Sequence, residues 1–422
     1  MPPSSDAPQH RRPAHRESSN KKHGAQVGHQ GTGRKLKPVE AVDHVVDLRP
    51  SRCRKCGCKL HGDDPQPVRH QVTEIPQAYA EVTEYRRHIL RCAECGVKTQ
   101  AKWSEDVPCG SFGARLQAEV AYFTGRFGMS HRDCVEALRV LHGAEISTGS
   151  ISAIQRQASL AVAVPVETAH EFVRQQSVNH VDETGWREKG KLNWLWVNAT
   201  PQVTAFRLAA KRDSATARKI IGSAKTSIIT TDRYLGYSWL ATTRRQLCWA
   251  HLKRDFQAMA ERDGEVKEIG EALLTQTKEV FRLWHQVKGG DLSWRKFQKL
   301  MAPVEQRVKE LLDAGSDCGS RKTSRTCRQI RMLEAALWTF VRVRRVEPTN
   351  NAAERALRRA VLWRRKSFGT QSTEGSRFVE RILTVVTTLR QQGRNVLEYL
   401  TAACASVGHT SGTSVCLLPQ PP

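Results

Sequence analysis

"SVNHVDETGW" (177–186), "NWLWVNAT" (193–200) and "QVTAFRLAA" (202–210) are three consecutive runs rich in Val, Trp, Phe and Thr, separated by short turns. Alternating side chains of these types belong to strands rather than helices. The pattern then changes. "SATARKIIG" (214–222) steps at helix period, and "TSIITTD" (226–232) is a short apolar run of the buried-strand kind. "RRQLCWAHLKRDFQAMA" (244–260) begins as a strand and runs on as a helix. The order β-β-β-α-β predicts a mixed α/β sheet.

Two of these strands end in acids, Asp182 in the first and Asp232 in the fourth. Acids at strand ends can converge on one edge of a sheet. A third acid lies far downstream in "TNNAAERALRRAVLWRRKSFG" (349–369), where Glu354 is the one carboxylate among six Lys or Arg between Asn350 and Lys366. Thr349 and Asn350 are both good helix caps and place Glu354 in the first turns of a helix. Two Asp and one Glu form an oxygen-ligand set for two Mg²⁺ (or Mn²⁺) ions. Such ions activate a water or a 3′-hydroxyl and stabilise the leaving oxygen of an in-line phosphoryl displacement. Each acid also has a plainer reading. Asp182 can end a strand in a turn, Asp232 can cap the next segment, and Glu354 can pair with Arg358 for roughly 0.2–0.5 kcal/mol. Taken together, on this sheet order and among these cations, the metal reading is the stronger.

The chain of 422 residues predicts two to four domains. It carries 67 Lys and Arg against 42 Asp and Glu, a net charge of +25, which favours a polyanion such as DNA as partner. No run of 18 apolar residues is present, so no membrane-spanning helix is expected. The first residues hold no apolar segment of the secretory kind. A cytoplasmic, nucleoid-associated protein is the expectation.

Residues 1–48 read as a basic flexible arm. Its "GAQVGHQGTGRK" (24–35) lacks the GKS/T ending of a phosphate-cradling loop and reads as a flexible segment that touches DNA. Residues 49–101 hold four of the twelve cysteines as two CxxC pairs, Cys53 with Cys56 and Cys92 with Cys95. Such knuckles predict a structural Cys₄ Zn²⁺ site, zinc-ribbon-like in kind. The gap of 35 residues between them calls for a long hairpin, with strands expected over "QVTEI" (71–75) and "YAEVTEYRRHIL" (79–90). Cys58 is read as a spare thiol. Residues 102–165 predict three helices, the second opened by Ser130 and the third by Thr148, in a helix-turn-helix arrangement. Many helical bundles that bind no DNA share this pattern. Residues 166–257 carry the first part of the α/β core and 258–341 return to helix period as an all-helical insertion, with breaks at "GGDLSW" (289–294) and "DAGSDCGSRKTS" (313–324). Two further helices, 350–365 and 373–401, place the second part of the core at 342–401. The tail 402–422 carries no readable signal.

"VDETGW", "TDRYLGY", "CWAHLKRDF" and "TNNAAERALR…RRKSFG" resemble the insertion sequence 66 family of bacterial transposases. The CxxC pairs followed by helices match that family's order of parts, over roughly residues 20–400. The resemblance implies an RNase H-like core with an Asp-Asp-Glu triad, here Asp182, Asp232 and Glu354, and a helical insertion before the Glu. It implies binding of element ends and target DNA, cleavage, and joining of 3′-hydroxyl ends to the target. It also suggests a homodimer or larger assembly on DNA and small accessory transposition proteins. "CWAH" resembles a Cys-x-x-His element of related transposases, which would set Cys248 and His251 near the active site and His251 near DNA. A core Cys with a capping His explains it equally well. Arg355, Arg358, Arg359 and Lys366 are the candidate phosphate contacts. Family members usually begin with a longer region that includes a coiled coil, and no heptad run precedes residue 20. Other readings are a zinc-containing DNA-binding protein without catalysis, a host nuclease on the same fold, and a tyrosine recombinase. The last would use "HLKR" (251–254) with Tyr399, 145 residues on, which is too far for the usual arrangement.

Overall fold

The computed structural model describes residues 35–104, 107–108, 110–223, 226–406 and 415–419. The arm up to residue 34, with most of "GAQVGHQGTGRK", lies outside them. The described residues fall into two compact units, 35–78 and 79–419.

The smaller unit is almost free of regular structure. Its centre is a tight turn in which Cys53 N–H donates to Cys58 O (2.8 Å) and Gly57 N–H donates to Cys53 O (2.9 Å). Gly57 has φ +75°, a conformation that a side chain disfavours.

In the larger unit, β1 (Ile89–Arg91) and β2 (Lys98–Gln100) pair antiparallel around a second turn of the same design, with Gly96 at φ +70°. The strands expected over 71–75 and 79–88 do not form. Their apolar residues Val72, Ile75 and Val82 are exposed. A period-two pattern makes a strand only when a neighbour buries one face, and here none does.

Helices α1 (Ala114–Tyr122), α2 (His131–His142), α3 (Thr148–Ala161) and α4 (Ala163–Arg174) follow. Ser130 opens α2 as expected, in a capping box with Asp133. The cap of α3 is Ser147, not Thr148, which is already helical. α1 runs into a π turn, Phe123–Phe127.

The sheet contains β3 (Val178–Glu188), β4 (Lys191–Ala199), β5 (Thr204–Ala209), β6 (Ile228–Thr231) and β7 (Arg245–Leu247), in the order β5-β4-β3-β6-β7. β3, β4 and β5 form an antiparallel meander. β6, reached through α5 (Ser214–Ile221), joins β3 in parallel, and β7 joins β6 in parallel. A mixed sheet is therefore present as the sequence pattern predicts.

After α6 (Trp249–Ala260) come α7 (Glu265–Gly289), α8 (Trp294–Asp317), α9 (Arg321–Arg331), α10 (Glu334–Leu337) and α11 (Thr339–Arg342). They share a core of Leu273, Phe297, Trp338 and Phe340 with Trp249 of α6. α8 runs on to Asp317 into the break expected at 313–324, where Gly315 packs against Cys327 of α9 and a Cβ would collide. Gly270 lets α7 lie on the end of α6; a Cβ there would sit 2.3 Å from Ala260 N. Gly270→Ala is expected to lower stability by about 1–3 kcal/mol or more, read as a fall in the chemical-denaturation midpoint. An unchanged midpoint would contradict this packing.

α12 (Asn351–Ser367) lies on β3 and β4, and α13 (Thr373–Gln391) on β5. The segment 373–401 is not one helix. Gly393 at φ +67° ends α13, and Asn395 caps α14 (Val396–Ala405). α13 closes the open edge of the sheet. The outward N–H groups of Thr204, Phe206 and Leu208 donate to Thr388 Oγ1 (3.1 Å), Thr384 Oγ1 (3.0 Å) and Glu380 Oε2 (2.9 Å). Two strand residues advance about 6.8 Å and four helix residues about 6 Å, so side chains at i, i+4 and i+8 keep pace with alternate strand amides. The edge is thereby made unavailable for pairing.

Candidate active site

The parallel register of β3 and β6 pairs Val178 with Ile228, Asn179 with Ile229 and His180 with Thr230. Continued by two residues, it brings Asp182 beside Asp232. β6 is buried along its whole length, so Asp232 is the first residue to emerge from the sheet. The turn that follows is fixed from beneath by Arg245, which is 1% exposed. Arg245 donates to Thr231 Oγ1 (2.9 Å), Asp232 O (2.6 Å) and Tyr237 O (3.3 Å). Burial lowers its pKa to about 10, which leaves it charged at neutral pH. The Asp232 carboxylate accepts from Tyr234 N–H (2.9 Å).

Glu354 is brought to the same place by the start of α12. Asn350 occupies the cap position, but its side chain does not cap the helix. Asn350 Nδ2 donates to Val181 O (2.8 Å), next to Asp182, and its backbone N–H donates to Cys248 Sγ (3.1 Å). Trp249 N–H donates to Pro348 O (2.9 Å). The start of α12 is thus tied to both β3 and α6. Glu354 Oε1 lies 3.4 Å from His251 Nδ1 and 3.9 Å from Cys248 Sγ. Among the described residues no ion pair joins Glu354 to Arg358. Burial and the Glu354 charge push the Cys248 thiol up to about 11, so it stays a thiol at neutral pH.

Asp182 feels the acids around it. Burial, then the charges of Glu183 and Asp232, with a smaller push from Glu354, raise the Asp182 pKa well above the ordinary aspartate value. Its Oδ1 accepts only the neighbouring Glu183 N–H (2.9 Å) among the described hydrogen bonds, and no cation pairs with it there. Glu183 points the other way and is compensated. Arg212 Nε donates to its Oε1 (2.5 Å) and the Tyr237 hydroxyl to its Oε2. Arg212 also lies over the Tyr234 ring, 3.8 Å from its centroid. Cys248, His251 and Glu354 form the one cluster of three or more ligand-bearing side chains within 4.8 Å among the described residues.

The other expected site residues are placed as follows. Arg355, Arg358 and Lys366 are exposed on α12. Arg359 is half-buried and gives two N–H groups to the Arg126 carbonyl. In each CxxC turn the first thiol faces the amides of the second half. The Cys56 and Lys55 amides lower the Cys53 thiol, and the Cys95 and Glu94 amides lower the Cys92 thiol. Tyr399 is 6% exposed and donates to Val415 O (3.3 Å), with burial pushing its hydroxyl pKa up. It is a core residue and no nucleophile.

A sequence profile described as Transposase IS66 family matches residues 109–377. The chain belongs to the IS66 transposase family. Membership suggests DNA cleavage and the use of divalent metal. Asp182, Asp232, Cys248, His251 and Glu354 all lie within the matched span. Two uncharacterized proteins of Sinorhizobium fredii are similar. The one named y4qI is 28% identical over 234 residues, 49% of this chain and 42% of that protein. The one named y4hP is 25% identical over 393 residues, 82% of this chain and 69% of that protein. Against the first, the chain spans less than half of its relative's length. No helix among the described residues is long and apolar enough to cross a membrane.

Proposed function

We propose that the protein is a DNA transposase of the Asp-Asp-Glu kind, with Asp182, Asp232 and Glu354 as catalytic carboxylates on an RNase H-like core. The observation that carries the reading is that Asp182 on the central strand feels the charges of both Asp232 and Glu354, with no cation paired to it among the described residues of a chain of net charge +25. The strand order supports it, with the two aspartates on adjacent parallel strands. Oxygen donors of this kind suit Mg²⁺ or Mn²⁺. When bound, such an ion lowers the pKa of water and stabilises the leaving oxygen.

The chain's own residues do the rest. Asn350 and His251 hold Glu354 in place, with Cys248 as a neutral neighbour. Arg245 fixes the turn that presents Asp232. Arg355, Arg358, Arg359 and Lys366 face phosphates, and His251 stands between Glu354 and the DNA. Water breaks a phosphodiester at the element end, leaving a 3′-hydroxyl. That hydroxyl then displaces a 3′-oxygen in target DNA, so no protein–DNA bond forms. Residues 166–257 and 342–401 make the core and 258–341 the insertion. α2 and α3 form the helix-turn-helix within 102–165, a reading supported by the capped starts of both helices and by exposed Arg156 and Gln157 on α3. Incubating a duplex that carries a pre-cut 3′-hydroxyl element end with target plasmid and Mg²⁺ tests the proposal. Joined product is expected; a phosphotyrosyl adduct, or hydrolysis without joining, would overturn it.

Within 49–101 each CxxC turn supplies two thiolates for structural Zn²⁺. Lowered thiol pKa values and a left-handed glycine after each pair suit a zinc knuckle. Cys53→Ser and Cys92→Ser are each expected to remove most of the bound zinc, measured by elemental analysis of the purified chain. Zinc content equal to that of wild type would sink this assignment.

A further inference from the structure

A cleft of about 620 Å³ opens between the π turn, α12 and α13. Five arginines line it: Arg126, Arg355, Arg358, Arg359 and Arg390. No acidic residue does. The five come from three different elements, so the cluster is not the solvated face of one helix. The cations are held close against their mutual repulsion. Burial and the charges of Arg359 and Arg390 lower the Arg126 pKa, and burial and Arg390 lower that of Arg359.

The fold keeps them there. Gly125 seats the π turn on α13 so closely that a Cβ would come within 2.4 Å of Ile382 Cγ1. Arg359 clamps the same turn by donating to the Arg126 carbonyl. Among the described residues the Arg126 Nε is buried with no hydrogen-bond partner. A buried donor left unpaired costs free energy that a ligand acceptor would return. π turns interrupt helices often at functional sites, and this one carries the orphaned guanidinium.

On α12, residues advance about 100° each. Ala352, Arg355, Arg359 and Leu362 therefore form one stripe, roughly 100° around the helix from Glu354. Arginine forks match phosphate oxygens in pairs. We propose that this cleft binds consecutive phosphates of duplex DNA, with Arg126 and Arg390 completing a grip begun by Arg355, Arg358 and Arg359. The identity of the polyanion rests on the transposase reading; the anion site itself rests on the cleft.

The test uses the full chain and a duplex of random sequence, with no Mg²⁺ or Mn²⁺ added, across a salt series. Cleavage is then silent, so the outcome is independent of the catalytic assignment. The double variant Arg126→Gln/Arg390→Gln is expected to lose about tenfold in affinity and to lower the salt slope by about 2. Its melting temperature at low salt is expected to match or exceed that of wild type, because repulsion is relieved. Arg126→Lys/Arg390→Lys should keep most of the affinity. Unchanged affinity and slope in the glutamine variant would overturn the proposal. So would a lysine variant as weak as the glutamine one, which would mark a packing role instead.

Discussion

Asp182→Asn is expected to abolish Mg²⁺-dependent cleavage, by at least ~10³-fold, while making the metal-free protein more stable. The two effects share one cause. Asp182 is half-buried beside three other carboxylates, and its folded pKa lies above the ordinary value. The unfolded chain therefore releases this proton at lower pH than the folded one. Between the two pKa values the folded state holds more protons, so stability falls as pH rises through that window and stays lowered above it. Asparagine removes the penalty but also the ligand. Single-turnover cleavage should vanish, duplex binding should survive, and the metal-free melting temperature at neutral pH should rise. Mg²⁺ should stabilise the wild type and leave the variant unmoved. Asp232→Asn and Glu354→Gln should lose cleavage equally. Wild-type rates in any of the three would refute the triad, and a metal-free Asp182→Asn protein that melts earlier would refute the uncompensated charge.

Asp232 and Glu354 were legible because each sits at a boundary that local rules detect, a strand end and a helix start. Asp182 was read as a strand end too, but β3 runs on to Glu188 and pairs with β4 on both sides of it, which places Asp182 mid-strand. The sheet was legible for the same reason, since its strands bury one or both faces. What local rules missed are pairings between distant residues of types common on surfaces. Asn350 looks like a helix cap, yet it bonds across to Val181, 169 residues away. Thr384, Thr388 and Glu380 read as ordinary helix residues, yet they serve the amides of β5. Arg126 and Arg390 belong to no motif, and only the π turn brings the first toward α12. The opposite error occurred at 71–75 and 79–88, where a strand pattern had no partner to pair with. Glu354 illustrates both sides. Its place in a helix start was readable, but its neighbours are His251 and Cys248 rather than the arginine one turn on.

Arg212→Met is expected to cost about 3 kcal/mol of stability at neutral pH, the low end for breaking a buried ion pair. Glu183 is adjacent to Asp182 and its side chain is fully buried, whereas that of Arg212 is 22% exposed, so solvent softens the loss. Even with Arg212 present, burial and the Asp232 charge hold the Glu183 pKa above its usual value. Without the guanidinium it rises further. The folded variant then favours a protonated Glu183, while the unfolded chain ionises at the ordinary pH. Its deficit should therefore be small in mild acid and grow as pH rises toward neutrality. Arg212→Met/Glu183→Gln should recover most of the loss, because a neutral amide still accepts from the Tyr237 hydroxyl. Denaturation midpoints at two pH values for the four proteins of this cycle measure the coupling directly. A deficit independent of pH, or a double variant no better than the single, would show that Arg212 acts through its stacking on Tyr234 instead. Cleavage should fall in the single variant as well, since Glu183 without its partner disturbs the floor on which Asp182 and Asp232 stand.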